Sequence, residues 1–200
     1  MNALIECAPH TVTVGGELFA IDPSFTTGIR FEALMLDDSL AEPIKTALAL
    51  NLYFPVIPTD TENALKAIAW FYRCGKEPAH GKEDAETAQG RRIYDYAYDA
   101  DCILDSFLQQ YHIDLQKTDL HWWRFRSLFD NLSEDTPFVK RLGFRCANIG
   151  KMKGEQRTYY SRMKRLFALP RCCAESEKDR LISDALLNGG NVQTLLETMP

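Results

Sequence analysis

No G-x-x-x-x-G-K-[ST], G-x-S-x-G or H-E-x-x-H segment occurs anywhere in this chain. Its sequence therefore carries no phosphate-cradling loop, nucleophile elbow or zincin helix signature. Six cysteines and four histidines are present, yet no C-x-x-C pair and no zinc-like spacing joins them. Cys172 and Cys173 are adjacent, and free thiols are the expectation for them in a reducing compartment. No run approaches the roughly 18 apolar residues that a membrane helix needs. The start, MNALIECAPH, has no basic stretch followed by an apolar one, so no secretory signal is expected. Residues 75–90 (GKEPAHGKEDAETAQG) contain no large apolar side chain. Having nothing to bury, they read as a mobile linker or insertion.

What is present suits one ordinary domain with appendages. The chain has 200 residues, 46% of them hydrophobic and 11% aromatic, enough for a real core. Its net charge of −5 is unevenly spread. Lys140 to Arg171 holds ten Lys/Arg against Glu155 alone, a local +9 that leaves −14 for the remainder. This asymmetry describes an acidic body and a basic face.

Periodicity divides the chain into short elements. Thr11–Val14 and Glu17–Ile21 alternate around Gly15-Gly16, the pattern of a β-hairpin over 10–22. Helical spacing follows over Ser24–Leu36, although Gly28 weakens it, and then from Pro43 to about Leu52. Thr59 and Glu62 form a capping-box pattern before a helix that Gly75 would end as its C′ residue. Ile93, Ala97, Ala100, Leu104, Phe107, Leu108 and Tyr111 line up as one helical stripe, which stops at His112. Thr118 or Asp119 is the expected cap of the next helix, with Trp122, Phe125, Leu128, Phe129 and Leu132 on its apolar face. Thr136-Pro137 begins a helix bearing Phe138, Leu142 and Cys146. A basic helix after Gly154 carries Tyr159, Tyr160, Met163, Leu166 and Phe167, and a last amphipathic piece spans about Glu175–Asn188. The expected fold is mainly α: an irregular domain of about six or seven helices over 1–170 with an N-terminal β-hairpin, then a helical tail over 171–200.

Three constellations invite a chemical reading. Asp95, Asp99, Asp101 and Asp105 suggest a hard-metal site. A calcium loop, however, needs a glycine at its sharp turn and a closing glutamate, and neither stands at the right offset. On a helix these residues are two i, i+4 pairs on different faces, so a solvated face, or one meeting a basic surface, is expected. His121 beside Trp122 and Trp123 resembles a pocket edge. Without a nearby nucleophile and orienting group it reads as structural. Basic charge interleaved with Tyr159, Tyr160 and Phe167 is a nucleic-acid footprint. Those aromatics also lie on an apolar stripe, where core packing accounts for them. The Lys/Arg residues then form a solvated side, or neutralise the acidic face within the chain or between copies. No catalytic residue, metal ligand or cofactor is assigned, and no enzyme is expected.

The segments Tyr94-Asp95-Tyr96-Ala97-Tyr98-Asp99-Ala100-Asp101, Phe107-Leu108-Gln109-Gln110-Tyr111, Ile113-Asp114-Leu115 and Leu120-His121-Trp122-Trp123-Arg124-Phe125-Arg126 carry a resemblance. So do Arg145, Lys151-Met152-Lys153-Gly154-Glu155-Gln156-Arg157, Tyr160-Ser161-Arg162-Met163-Lys164 and Ala168-Leu169-Pro170. Together they resemble the bacteriophage gene-product-fifteen family of tailed phages and prophages of Gram-positive bacteria, over about residues 10–170. The resemblance implies a gene just upstream of the tape-measure gene and a non-enzymatic tail assembly chaperone. Such a protein would coat the tape-measure protein, help tail tube subunits polymerise and leave before the virion matures. Its implied partners are the tape-measure and tail tube proteins and a second tail assembly chaperone, in the host cytoplasm; separately, the uneven charge suits head-to-tail self-association along such a client. Trp122, Trp123, Phe125 and Arg126 are the expected structural or contact centre. Arg157, Arg162, Lys164 and Arg165 on the basic helix are the expected second surface. The rival expectations are a nucleic-acid-binding accessory protein using 140–171, and a structural tail component retained in the virion.

Overall fold

The computed structural model describes residues 5–77 and 92–170. The pair Cys172-Cys173, the expected helical tail and most of the expected 75–90 linker lie outside them. Every described element belongs to one compact unit, Met1–Leu169.

The chain opens with a two-stranded antiparallel hairpin, β1 (Thr11–Val14) and β2 (Glu17–Ala20), in which Val14 faces Glu17 across the turn. Gly15 and Gly16 close it at φ +60° and +91°. Two consecutive positive φ values twist the turn in the hand of the strands, and glycine adopts them without strain. Val12 and Val14 point inward, and the hairpin leans on a helix instead of standing alone.

Seven α-helices follow among the described residues: α1 (Phe25–Met35), α2 (Glu42–Tyr53), α3 (Thr61–Tyr72), α4 (Ala100–Tyr111), α5 (Trp122–Asp130), α6 (Pro137–Cys146) and α7 (Gly154–Leu166). A single 3-10 turn, Ile149–Lys151, precedes α7. Ser24 caps α1 by accepting the Thr26 N–H at 3.2 Å, and Pro43 sits in the first turn of α2. The mainly α class with an N-terminal hairpin is thus the observed one.

Several boundaries move. The cap of α3 is Asp60, whose carboxylate takes the Asn63 N–H at 3.1 Å, so the helix starts one residue later than a Thr59 cap would give. At its other end Cys74, not Gly75, is the left-handed C′ residue, with φ 56°. Cys74 N–H bonds to Phe71 O at 2.9 Å and Gly75 N–H to Trp70 O at 3.0 Å, the two bonds of a Schellman turn. The cap of α5 is neither Thr118 nor Asp119 but His121.

The largest departure concerns α4. Residues 92–95 are irregular and 96–99 form turns, and the helix begins only at Ala100. Its buried face is Cys102, Ile103, Ser106 and Phe107, while Leu108 is 53% exposed. The stripe that includes Ala100, Leu104 and Leu108 is therefore rotated away from the core centre. Two polar anchors set the rotation: Asp99 is fully buried, and so is Ser106. Ser106 Oγ donates to Cys102 O at 2.6 Å and accepts the Phe138 N–H at 3.0 Å, which satisfies an orphan amide at the start of α6.

At the centre of the core lies Phe125, with no exposed surface. Phe25 and Phe107 stack on it at 5.1 and 5.2 Å between ring centroids, and Trp122 and Phe129 extend the stack at 5.8 and 5.7 Å. α1, α4 and α5 each place a ring there, so the aromatic face expected for α5 is the hub of the fold.

Candidate functional site

Trp122 and Trp123 are neighbours in sequence and cap neighbouring carbonyls. The last carbonyls of α3 have no intrahelical partner. Trp122 Nε1–H donates to Tyr72 O at 2.8 Å and Trp123 Nε1–H to Phe71 O at 2.8 Å. The two indoles thus bind α5 to the end of α3. Trp122 is fully buried, stacks on Tyr72 at 5.1 Å, and leaves room for nothing at Gly28. A Cβ added to Gly28 would stand 2.2 Å from the Trp122 ring, which explains a glycine inside α1. Trp123 is half-buried, edge-on to Trp70 at 5.5 Å.

Arg126 also faces inward. Its guanidinium donates to the Tyr96 and Tyr94 hydroxyls at 3.0 and 3.3 Å, pairs with Asp130 at 3.2 Å and lies over the Phe129 ring. Burial pushes the Tyr96 hydroxyl far above its ordinary range, and Tyr72 likewise, with the Glu32 carboxylate adding to the rise. Both phenols therefore stay neutral, and the Tyr72 hydroxyl donates a hydrogen bond to the Glu32 carboxylate. Trp122 and Phe125 are thus brought together inside the core, with Trp123 and Arg126, both half-buried, at its rim.

His121 ties three segments together. Its Nδ1 accepts the Trp123 N–H at 3.1 Å as the cap of α5, and its Nε2 lies 3.0 Å from Pro9 O. One nitrogen accepts and the other donates, which only the neutral ring can do. Burial lowers its pKa in agreement with this. The strand-like bridge Ser24 to His121, with Trp122 N–H on Pro23 O at 2.6 Å, completes the joint.

The four aspartates part company. Asp99 is fully buried and caged. Arg145 binds it in a fork, Nη1 to Oδ2 at 2.6 Å and Nη2 to Oδ1 at 2.7 Å, and Arg141 Nη1 adds a bond to Oδ1 at 3.0 Å. The Asp95 N–H donates to Oδ2 at 3.1 Å. Arg145 also donates to Phe167 O at 2.5 Å and Ile93 O at 2.9 Å. One guanidinium thereby joins the 93–99 segment, α6 and the end of α7. Asp99 is neither solvated nor partner-facing: of the expected alternatives it takes neutralisation within the chain, by Arg141 and Arg145 of α6. Asp95 caps its own turn and pairs with Arg92. Asp101 and Asp105 remain on the exposed side of α4. The signal available in sequence was the i, i+4 spacing of Arg141 and Arg145, which puts both on one helix face.

The basic helix α7 buries none of its side chains. Tyr160, Met163 and Phe167 are half-buried; Phe144 of α6 lies 5.7 Å from Tyr160 and 5.8 Å from Phe167. Arg157, Arg162 and Arg165 are exposed, while Lys164 turns back to Ala147 O at 2.9 Å. Tyr159 and Leu166, expected on the inward face, are 51% and 62% exposed. A further apolar exposure lies at the corner of α1 and α2. Met35, Leu36, Ile44 and Leu48 are 38%, 40%, 51% and 45% exposed there. Lys45 is buried between the two helices and donates to Met35 O at 3.3 Å, fixing that corner.

Among the described residues no group of His, Cys, Asp and Glu is placed to hold a metal ion, and no helix is long and apolar enough to cross a membrane. Burial pushes the Cys74 thiol up to about 11, away from nucleophilic chemistry. A cavity of about 450 Å³ lies between β1 and α3, lined by Thr13, Asn63, Lys66 and Trp70 among others. Its one charged lining group, Lys66, is held by Glu62 at 2.7 Å.

Neither the curated proteins nor the solved structures include a match to this chain. A family model described as Bacteriophage Gp15 protein matches residues 4–169, from before the hairpin to beyond α7. The match ends at Leu169, where the compact unit also ends. A match of this extent identifies a phage protein: the chain belongs to the Bacteriophage Gp15 protein family.

Proposed function

We propose that this protein is a non-enzymatic tail assembly chaperone that binds the tape-measure protein in the host cytoplasm and leaves before the virion matures. One observation carries the reading beyond family membership. Met35, Leu36, Ile44 and Leu48 form an exposed apolar corner whose backbone is pinned by a buried lysine. Ile44 and Leu48 are one helical turn apart on one side of α2. A rigid apolar ledge of this kind fits the apolar stripe of a long helical client. In this reading buried Trp122 and Phe125 support the packing of α1 on α5 and are not themselves the contact surface.

The test is co-expression with the tape-measure protein of the same phage or prophage. The expected result is a soluble client that co-purifies with the wild type and not with Ile44→Asp/Leu48→Asp. Equal client solubility with and without this protein, and no co-purification, overturns the proposal. Mass spectrometry of purified particles decides between a departing chaperone and a retained tail component.

A further inference from the structure

Two helices carry complementary charge that has no ion-pair partner among the described residues. On α4, Asp101, Asp105 and Leu108 lie on one exposed stripe, at i, i+4 and i+7. On α7, Tyr159, Arg162 and Leu166 form another at i, i+3 and i+7, with Arg165 beside it. Among the described residues the ion pairs that join the acidic and basic regions are those of Asp99 with Arg141 and Arg145. Among the described residues Asp101 and Asp105 have no cation within ion-pair distance, and Arg157, Arg162 and Arg165 have no carboxylate. Leu108, Tyr159 and Leu166 are each more than half exposed, at 53%, 51% and 62%. Both helices pack on α6, so the two stripes flank one region of the molecule.

We propose that a second copy of this chain covers α7, its α4 lying antiparallel along this helix. In that register Asp101 meets Arg165, Asp105 meets Arg162 and Leu108 rests on Tyr159. The spacings agree: at about 1.5 Å rise per residue, 101 to 108 spans about 10.5 Å and 159 to 165 about 9 Å. Opposed helix dipoles and opposite charges favour this direction. Exposed ion pairs contribute little each, so the Leu108–Tyr159 contact adds apolar burial while the charges supply register and choice of partner. A second copy fits better than nucleic acid because phosphate would use the arginines and leave Tyr159, Leu166 and the acidic stripe exposed. The contact is independent of the chaperone reading, since it is measured with no client present.

The experiment is sedimentation equilibrium of the full chain over a wide dilution range, at low salt and at 0.5 M salt. The samples are wild type, Arg162→Glu/Arg165→Glu, Asp101→Lys/Asp105→Lys and an equimolar mixture of the two variants, each with its fold checked by circular dichroism. Reversible association of the wild type is expected, weakened by salt. Either reversal alone weakens it at least about tenfold, and the mixture regains it, because two repulsive pairs become attractive again. A wild type that is monomeric throughout overturns the proposal. So does association that survives both reversals, or a mixture that stays monomeric. A monomeric wild type that shifts a mixed-sequence DNA duplex at low salt, and loses this with Arg162→Glu/Arg165→Glu, assigns α7 to nucleic acid instead.

Discussion

Asp99→Asn tests whether the buried ion cluster holds the C-terminal half of the unit in place. The carboxylate has 0% exposure, and the side chains of Arg145 and Arg141 have 6% and 21%. Four donors converge on its two oxygens, three from guanidinium groups and one from the Asp95 amide. Asparagine keeps the shape but removes the charge and turns an NH₂ toward those donors. Arg145 would then be a nearly buried cation without a counter-charge, a condition that costs about 3–5 kcal/mol. Domains of this kind have about 5–15 kcal/mol in total, so roughly a fifth of the stability or more is at stake. At about 2–4 °C per kcal/mol the melting temperature should fall by roughly 6–20 °C. With a urea slope of about 2 kcal/mol/M the midpoint should fall by about 1.5–2.5 M. Urea titration followed by tryptophan fluorescence and circular dichroism measures this directly. Hydrogen exchange adds a local readout: amides of α7 should lose protection first, because Arg145 also holds Phe167 O. A loss under about 1 kcal/mol, the worth of an exposed pair, would refute the reasoning. So would unchanged exchange in α7.

Gly28→Ala should destabilise by about 1–3 kcal/mol or more, since the new methyl meets a buried ring at 2.2 Å. Chemical denaturation measures the cost, and a neutral result would mean that Trp122 can move. Trp123→Phe removes one indole donor from Phe71 O and should cost about 0.5–1.5 kcal/mol, read as a shift of the urea midpoint. His121 has a lowered pKa, so the unfolded chain binds its proton more readily than the folded one. Its contribution is complete above the ordinary histidine value of about 6.5 and is lost as pH falls below it. Melting temperatures between pH 5 and 8 should show that decline. His121→Asn keeps a capping side chain and should remove much of it, and an unaltered pH profile in that variant would count against the neutral-ring joint.

Much of this architecture is determined by sequence alone. Alternation around Gly15-Gly16 produces the hairpin because two-residue glycine turns match strand twist. Ser24, Pro43 and Pro137 fix helix starts because their capping or fixed φ acts within a few residues. The apolar spacing of Trp122, Phe125, Leu128 and Phe129 identifies the core helix, since burial follows period. The charge imbalance between 140–171 and the remainder is equally legible.

What tertiary structure alone decided are matters of pairing between distant residues. Asp99 and Arg145 are 46 positions apart, and no local rule says that this carboxylate turns inward while Asp101 and Asp105 stay out. That contact, with the Ser106 bond to α6, sets the rotation of α4 and leaves Leu108 on the surface. Gly28 looks like a helix defect until a tryptophan 94 residues later packs against its bare Cα. Trp122 and Trp123, in sequence an aromatic patch open to a partner or to the core, become caps on α3 because its final carbonyls face them. Sequence determines which residues are apolar, charged or able to cap, because those are properties of single residues and their near neighbours. Which charge meets which, and hence which surface is left over for a partner, depends on long-range packing that no local pattern encodes.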